Sequence, residues 1–293
     1  MTGLDVTALQ SCQVDVGGCS ISYSVVGEGR PLLLVMGLGA DSSAWRDHLS
    51  AYSQGFRCIL VDNRGVGRSG KPPGAYSTAL MAKDCARVLS AVTQEPAAVV
   101  GLSMGGAIAQ ELALRHTSLV RQLVLVSTWA RCDGYLSEVI DHLRVAHAKL
   151  GPEEFSQLIQ LRIWSPSYVS GHLGELQAAR QMAPAAVVQH HAFAAQCAAC
   201  VGHDALLRLE KMEIPTLITA GRDDSFTVLE HAEQIHRAIA GSRLEVFSGG
   251  HAHHWENLQT FNELTFAWLT NCQAIVRTGF GGRSDKTVKK GSV

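Results

Sequence analysis

No stretch of this 293-residue chain is apolar for long enough to cross a bilayer. Leu32 to Val35 is too short, and Val120 to Val126 is interrupted by Arg121 and Gln122, so no membrane partner is expected. Nor is one sign of charge in excess. Lys and Arg number 25 against 26 Asp and Glu, a net charge of −1, which gives no electrostatic footing for a nucleic-acid partner. Charged residues are sparse at 17% while 46% are hydrophobic, which excludes a disordered acidic or basic chain. The first ten residues lack a basic stretch followed by an apolar run, so the expected location is the cytoplasm. A second ligand pair is also missing for Cys197 and Cys200, the only closely spaced pair among eight cysteines. Without one, or a thioredoxin-like setting, their C-x-x-C spacing reads as two buried thiols in an Ala-rich helix, and no metal or organic cofactor is implied.

What is present is a regular alternation. Gln13 to Val16 and Ser20 to Val25 flank Gly17-Gly18 and read as a hairpin. Pro31 to Val35, Ala97 to Val100 and Leu123 to Val126 are short apolar runs, the pattern of strands buried on both faces, and Phe56 to Val61 reads as a further strand. Between them, Thr78 to Thr93 carries apolar residues at helical spacing, and Gly105 to His116 reads as a second helix. Strand and helix in alternation make a mostly parallel α/β sheet flanked by helices. From Trp129 to Lys211 only helical patterns occur, and strand logic returns at Pro215 to Thr219 and Leu244 to Phe247. The expected organisation is an α/β core of residues 1–128 and 212–274, with a helical cap inserted over 129–211. Residues 275–293 hold Arg277, Arg283, Lys286, Lys289 and Lys290 against Asp285 alone, and are expected to be a flexible basic tail outside the fold.

The segment that carries chemistry is Gly101-Leu102-Ser103-Met104-Gly105, a G-x-S-x-G placed between a buried strand and a helix. A strand that turns at once into a helix strains the middle residue and presses its neighbours against adjoining backbone, so Gly101 and Gly105 are required. The Ser103 hydroxyl then projects at the positive end of the following helix. Serine needs a base, and the base needs a carboxylate to orient it. Asp223 and Asp224 follow the carboxyl end of one late strand and His251 that of the next, so a parallel sheet delivers all to one edge.

The chain resembles the α/β-hydrolases, and within them the small esterase and lactonase branch that includes 3-oxoadipate enol-lactonases. The likeness rests on Leu34 to Gly39, Val61 to Ser69, Gly101 to Gly106, Ile214 to Asp224, Gly249-Gly250-His251 and the segment Gly202 to Leu209. It covers about Cys19 to Leu269 and is weakest across the insertion. The resemblance implies Ser103 as nucleophile, His251 as base and the aspartate three residues after Gly221, Asp224, as the acid, with Asp223 the alternative. It implies an oxyanion hole made by the main-chain N–H groups of Leu38 and Met104. Met36 stands where the family usually has histidine, which leaves the bracing of that loop open and makes the pocket mouth more apolar.

Met36, Trp129, Trp164 and Phe193 are candidate substrate contacts, although core packing is nearly as good a reading of Trp129, and Trp164, Phe193 and Met182 at helical spacing are more often cap core. His253 and His254 read as surface or pocket-lining histidines, and Arg64 as part of a turn bracing the sheet edge. The expected activity is hydrolysis of a small-molecule carboxylic ester or lactone, largely apolar, through an acyl-enzyme. A carbon–carbon bond hydrolase keeps the same triad, and a non-catalytic ligand receptor is the rival of another class. Haloalkane and epoxide hydrolases of the fold need an aspartate where Ser103 stands. Oligomeric state is left open, with a homodimer among the options.

Overall fold

The computed structural model describes residues 10–181 and 188–271. The N-terminal nine residues, Met182 and the basic segment 275–293 lie outside the described residues. The chain begins with the hairpin β1 (Ser11–Asp15) and β2 (Ser20–Val26), then runs through β3 (Arg30–Val35), α1 (Arg46–Tyr52), β4 (Phe56–Val61) and α2 (Thr78–Val92). Next come β5 (Ala97–Leu102), α3 (Met104–Arg115) and β6 (Val120–Val126). In the long interval that follows, the described residues form α4 (Gly134–Lys149), α5 (Pro152–Ile163), α6 (Pro166–Gly171), α7 (Leu173–Gln181) and α8 (His190–Val201). The short α9 (Leu206–Leu209) leads to β7 (Thr216–Gly221), α10 (Leu229–Ala238), β8 (Arg243–Phe247), α11 (His253–Glu256) and α12 (Leu258–Thr270).

The eight strands form one sheet in the order β1-β2-β4-β3-β5-β6-β7-β8, parallel from β4 to β8, with β1 and β2 antiparallel at one edge. Period-two alternation divides each apolar run between two cores. Leu33 and Val35 join the cluster under α2, α3, α4 and α8, whereas Leu32 and Leu34 join that under α1 and α12. Val99 parts from Ala98 and Val100 in the same way, as do Leu123 and Leu125 from Val124 and Val126. Burying both faces is what a run without polar residues requires, and each such leucine contributes roughly 1.5–3 kcal/mol. α2 has its start fixed by the Ser77 hydroxyl, which accepts from Leu80 N, and buries Met81, Cys85, Val88 and Leu89 along one stripe.

Cys197 and Cys200 are buried free thiols, and burial pushes Cys197 up to about 12, so neither is a ready thiolate. Arg64 is buried in a bidentate pair with Asp84, Nε to Oδ2 at 2.6 Å and Nη2 to Oδ1 at 2.7 Å, and so fastens the loop after β4 to α2.

Candidate active site

β5 ends at Leu102 and α3 begins at Met104, so Ser103 alone makes the turn, at φ 54° and ψ −118°. That conformation is strained for a residue with a side chain, and the surroundings hold it. Ser103 N donates to Val126 O at 2.8 Å, and Thr128 Oγ1 donates to Ser103 O at 2.8 Å. A Cβ on Gly101 would strike Gly105 O, and one on Gly105 would strike Val35 O, so the sharp turn excludes any larger residue at both. The loop after β3 passes directly beside it: a Cβ on Gly37 would lie 3.2 Å from Ser103 Cβ. Neither Leu38 N–H nor Met104 N–H finds an acceptor among the described residues, which leaves two amides unpaired beside the serine.

The loops after β7 and β8 bring Asp224, and not the exposed Asp223, to His251. His251 Nδ1 lies 2.9 Å from Asp224 Oδ2. Donation from Nδ1–H to the carboxylate leaves the Nε2 lone pair free to take a proton. Asp224 accepts three further bonds: Phe226 N and Thr227 N donate to Oδ1 at 2.7 and 2.9 Å, and the Thr227 hydroxyl donates to Oδ2 at 2.8 Å. Burial alone would raise its carboxyl, but the facing His251 and these donors outweigh it and hold it below the usual carboxylate range. Phe226 stacks on the His251 ring with centroids 4.8 Å apart.

Ser103 and His251 line one cavity of about 330 Å³. Among the described residues no hydrogen bond joins the Ser103 hydroxyl to the His251 ring. The walls are Met36, Leu38, Leu143, Phe155, Ile159 and Trp255 with other apolar groups, and no Lys, Arg, Asp or Glu lines them among the described residues. Polarity comes from Ser103, Ser156, His147, His251 and His254. The arrangement suits attack on an uncharged carbonyl compound.

Of the four candidate contacts, Met36 and Phe193 line the cavity, and neither Trp129 nor Trp164 does. Trp129 is 1% exposed and packs at the edge of His203 in the core, while Trp164 stacks on Tyr168 at 4.3 Å. His254 lines the cavity, but neither it nor His253 is on the surface: both are buried. His253 bridges Ser127 Oγ and Thr219 Oγ1 at 3.1 Å each, and Ser127 Oγ donates to His251 O at 2.8 Å. The loop at Met36 is braced through its main chain, since Asn63 Nδ2 donates to Met36 O at 2.9 Å. Sequence reasoning missed Phe226, Thr227, His147 and Trp255. Only the turn after Asp224 left a local signal, since an aspartate in a turn commonly bonds the backbone two residues on, here Phe226 N.

A profile of the alpha/beta hydrolase fold matches residues 30–258. The putative carbamate hydrolase RutD of Azorhizobium caulinodans is 31% identical over 249 residues, which cover 85% of this chain and 94% of that protein. A hydrolase from Pseudomonas aeruginosa PA01 superposes with a TM-score of 0.80 at 28% identity, covering 90% of this chain and 99% of the other. The enol-lactonase from Burkholderia xenovorans LB400 superposes with a TM-score of 0.81 at 25% identity, covering 88% and 100%.

Proposed function

The chain belongs to the α/β-hydrolase fold family, and on that premise we propose that it is a serine hydrolase cleaving a neutral, largely apolar carboxylic ester or lactone. Ser103 is the nucleophile and His251 its general base. Asp224 orients the ring and stabilises its cation, and the N–H groups of Leu38 and Met104 receive the oxyanion. Attack by Oγ on the carbonyl carbon passes its proton to His251 Nε2. His251 returns that proton to the leaving alcohol, and an acyl-enzyme remains. Water, deprotonated by His251, then releases the acid. The core of 1–128 and 212–274 supplies these groups, and the cap of 129–211 closes the apolar chamber over them.

The observation that carries this reading is that His251, paired with Asp224 at 2.9 Å, lines the same cavity as Ser103. The carbamate and the enol-lactone named for a relative and a structural neighbour are both acyl compounds open to the same attack. The test is p-nitrophenyl acetate with wild type and Ser103→Ala. Wild type should give a burst of nitrophenol, and the variant should lose about 10⁴-fold or more in kcat. Wild-type protein that neither turns over nor takes a fluorophosphonate label at Ser103 would leave a receptor as the better account. A vinylogous diketone run beside a simple ester separates carbon–carbon from ester cleavage.

A further inference from the structure

Helix α8 touches the loop after β3, which lines the cavity, and the loop after β4. Its residues Ala192, Phe193 and Gln196 share one face. Gln196 has no exposed surface, and its amide spans two turns of the core. Gln196 Oε1 accepts from Gly39 N at 2.9 Å, and Gln196 Nε2 donates to Arg64 O at 2.8 Å. Both loops come close because they present glycines. A Cβ on Gly39 would approach the Phe193 ring to 2.9 Å, and one on Gly65 would meet Gln196 Nε2 at 3.3 Å and Ala192 Cβ at 3.4 Å. Asn63, next to Arg64, donates to Met36 O at 2.9 Å. The segment from Met36 to Gly39 is therefore held at both ends, by Asn63 from the core and by Gln196 from the insertion.

Leu38 lies between those two anchors. We propose that Gln196 is a positioning residue that aims the Leu38 amide, so that the oxyanion hole is complete only while α8 is seated on the two loops. The inference rests on the serine-hydrolase reading above. A peptide plane is aimed by what its neighbours bind, and Gly39 N–H is the next amide along. Among the described residues Gly37 O, on the same peptide plane as the Leu38 N–H, accepts only a long bond from Ala40 N at 3.4 Å, so without the Gln196 acceptor that plane is held less firmly, and a donor displaced by a few tenths of an ångström stabilises the transition state less while leaving the apolar binding surface intact.

Gln196→Met keeps the length and removes both hydrogen bonds. Relative to wild type it should lower kcat for a nitrophenyl ester by about 10- to 100-fold, and slow fluorophosphonate labelling of Ser103 by a similar factor. KM should stay within about threefold, because ground-state contacts are untouched. Labelling of the variant within about twofold of wild type, or a rise in KM with kcat unchanged, overturns the proposal. Wild-type protein that resists labelling overturns the serine reading itself, so the two failures are told apart. Should the variant not fold, hydrogen exchange on wild type decides: a Gly39 amide as protected as those within α8 supports the proposal, and one exchanging at the rate of open loop amides overturns it.

Discussion

Thr227 is neither nucleophile, base nor acid, yet its hydroxyl stands 2.8 Å from Asp224 Oδ2 and 3.1 Å from His251 Nδ1. It therefore touches both members of the aspartate–histidine pair. Thr227→Val preserves shape and deletes the donor. The Asp224 carboxyl should then rise towards its ordinary range, and kcat/KM should fall about 5- to 30-fold, the equivalent of roughly 1–2 kcal/mol. Thr227→Ser, which retains the hydroxyl, should stay near wild type. Steady-state kinetics of the three proteins on one nitrophenyl ester check this. Ser103 and His251 were legible because glycines bracket the one and precede the other at strand ends. Choosing Asp224 over its neighbour needed the family resemblance, and the structure adds that Asp223 is exposed. Gln196 carries no such local signature: its partners lie 157 and 132 residues away. Trp129 and Trp164 were ambiguous because an aromatic just past a strand end, or at helical spacing in the insertion, can serve core or pocket.

At the scale of elements, strands were the easiest to read. Phe56–Val61 has its expected limits, and the hairpin turns at Gly17-Gly18. Which face each residue took was hidden, because a run with no polar member gives alternation nothing to mark. The helices of the insertion were legible as helical but not as separate units with their own angles. One of their seams depends on Glu256 of α11, whose Oε1 accepts from Gly250 N and Ser165 N at 2.9 Å each while Oε2 accepts from Ser165 Oγ at 2.6 Å. Alongside, Ala252 N donates to Ile163 O at 2.7 Å. The junction of α5 and α6 is thereby fastened to the loop that bears His251. Glu256→Ala leaves three donors without this acceptor, and should cost about 2–4 kcal/mol in urea-induced unfolding. Glu256→Gln, which still offers a carbonyl oxygen to the two amides, should lose less.

Across the whole molecule, four buried histidines give stability a steep acid limb. Burial lowers His48 and His203 to about 4 and His253 to about 3, and drives His254 well below its usual value. In the unfolded chain each takes up a proton near its ordinary value of about 6.5. Between there and about 4 the unfolded state binds protons that the folded state does not, so stability is full above the window and is lost as pH falls through it. Each histidine contributes a slope of up to about 1.4 kcal/mol per pH unit. Asp224, with its lowered carboxyl, adds loss in the same sense only below the ordinary carboxylate range. Thermal or urea melts from pH 7 to pH 4 should show the decline, and His48→Gln should flatten it by about one proton's worth.

The chamber's uncharged walls have a consequence for any reactant with two cleavable ends. Cutting one end of a dialkyl ester of an aliphatic diacid leaves a half-ester whose free carboxylate must enter the pocket if the second end is to reach Ser103. With no Lys or Arg among the described residues of those walls to meet it, that ion would shed its hydration at a cost of several kcal/mol. Hydrolysis should therefore arrest itself midway, consuming one equivalent of alkali on a pH-stat rather than two and releasing the monoacid as a finished product.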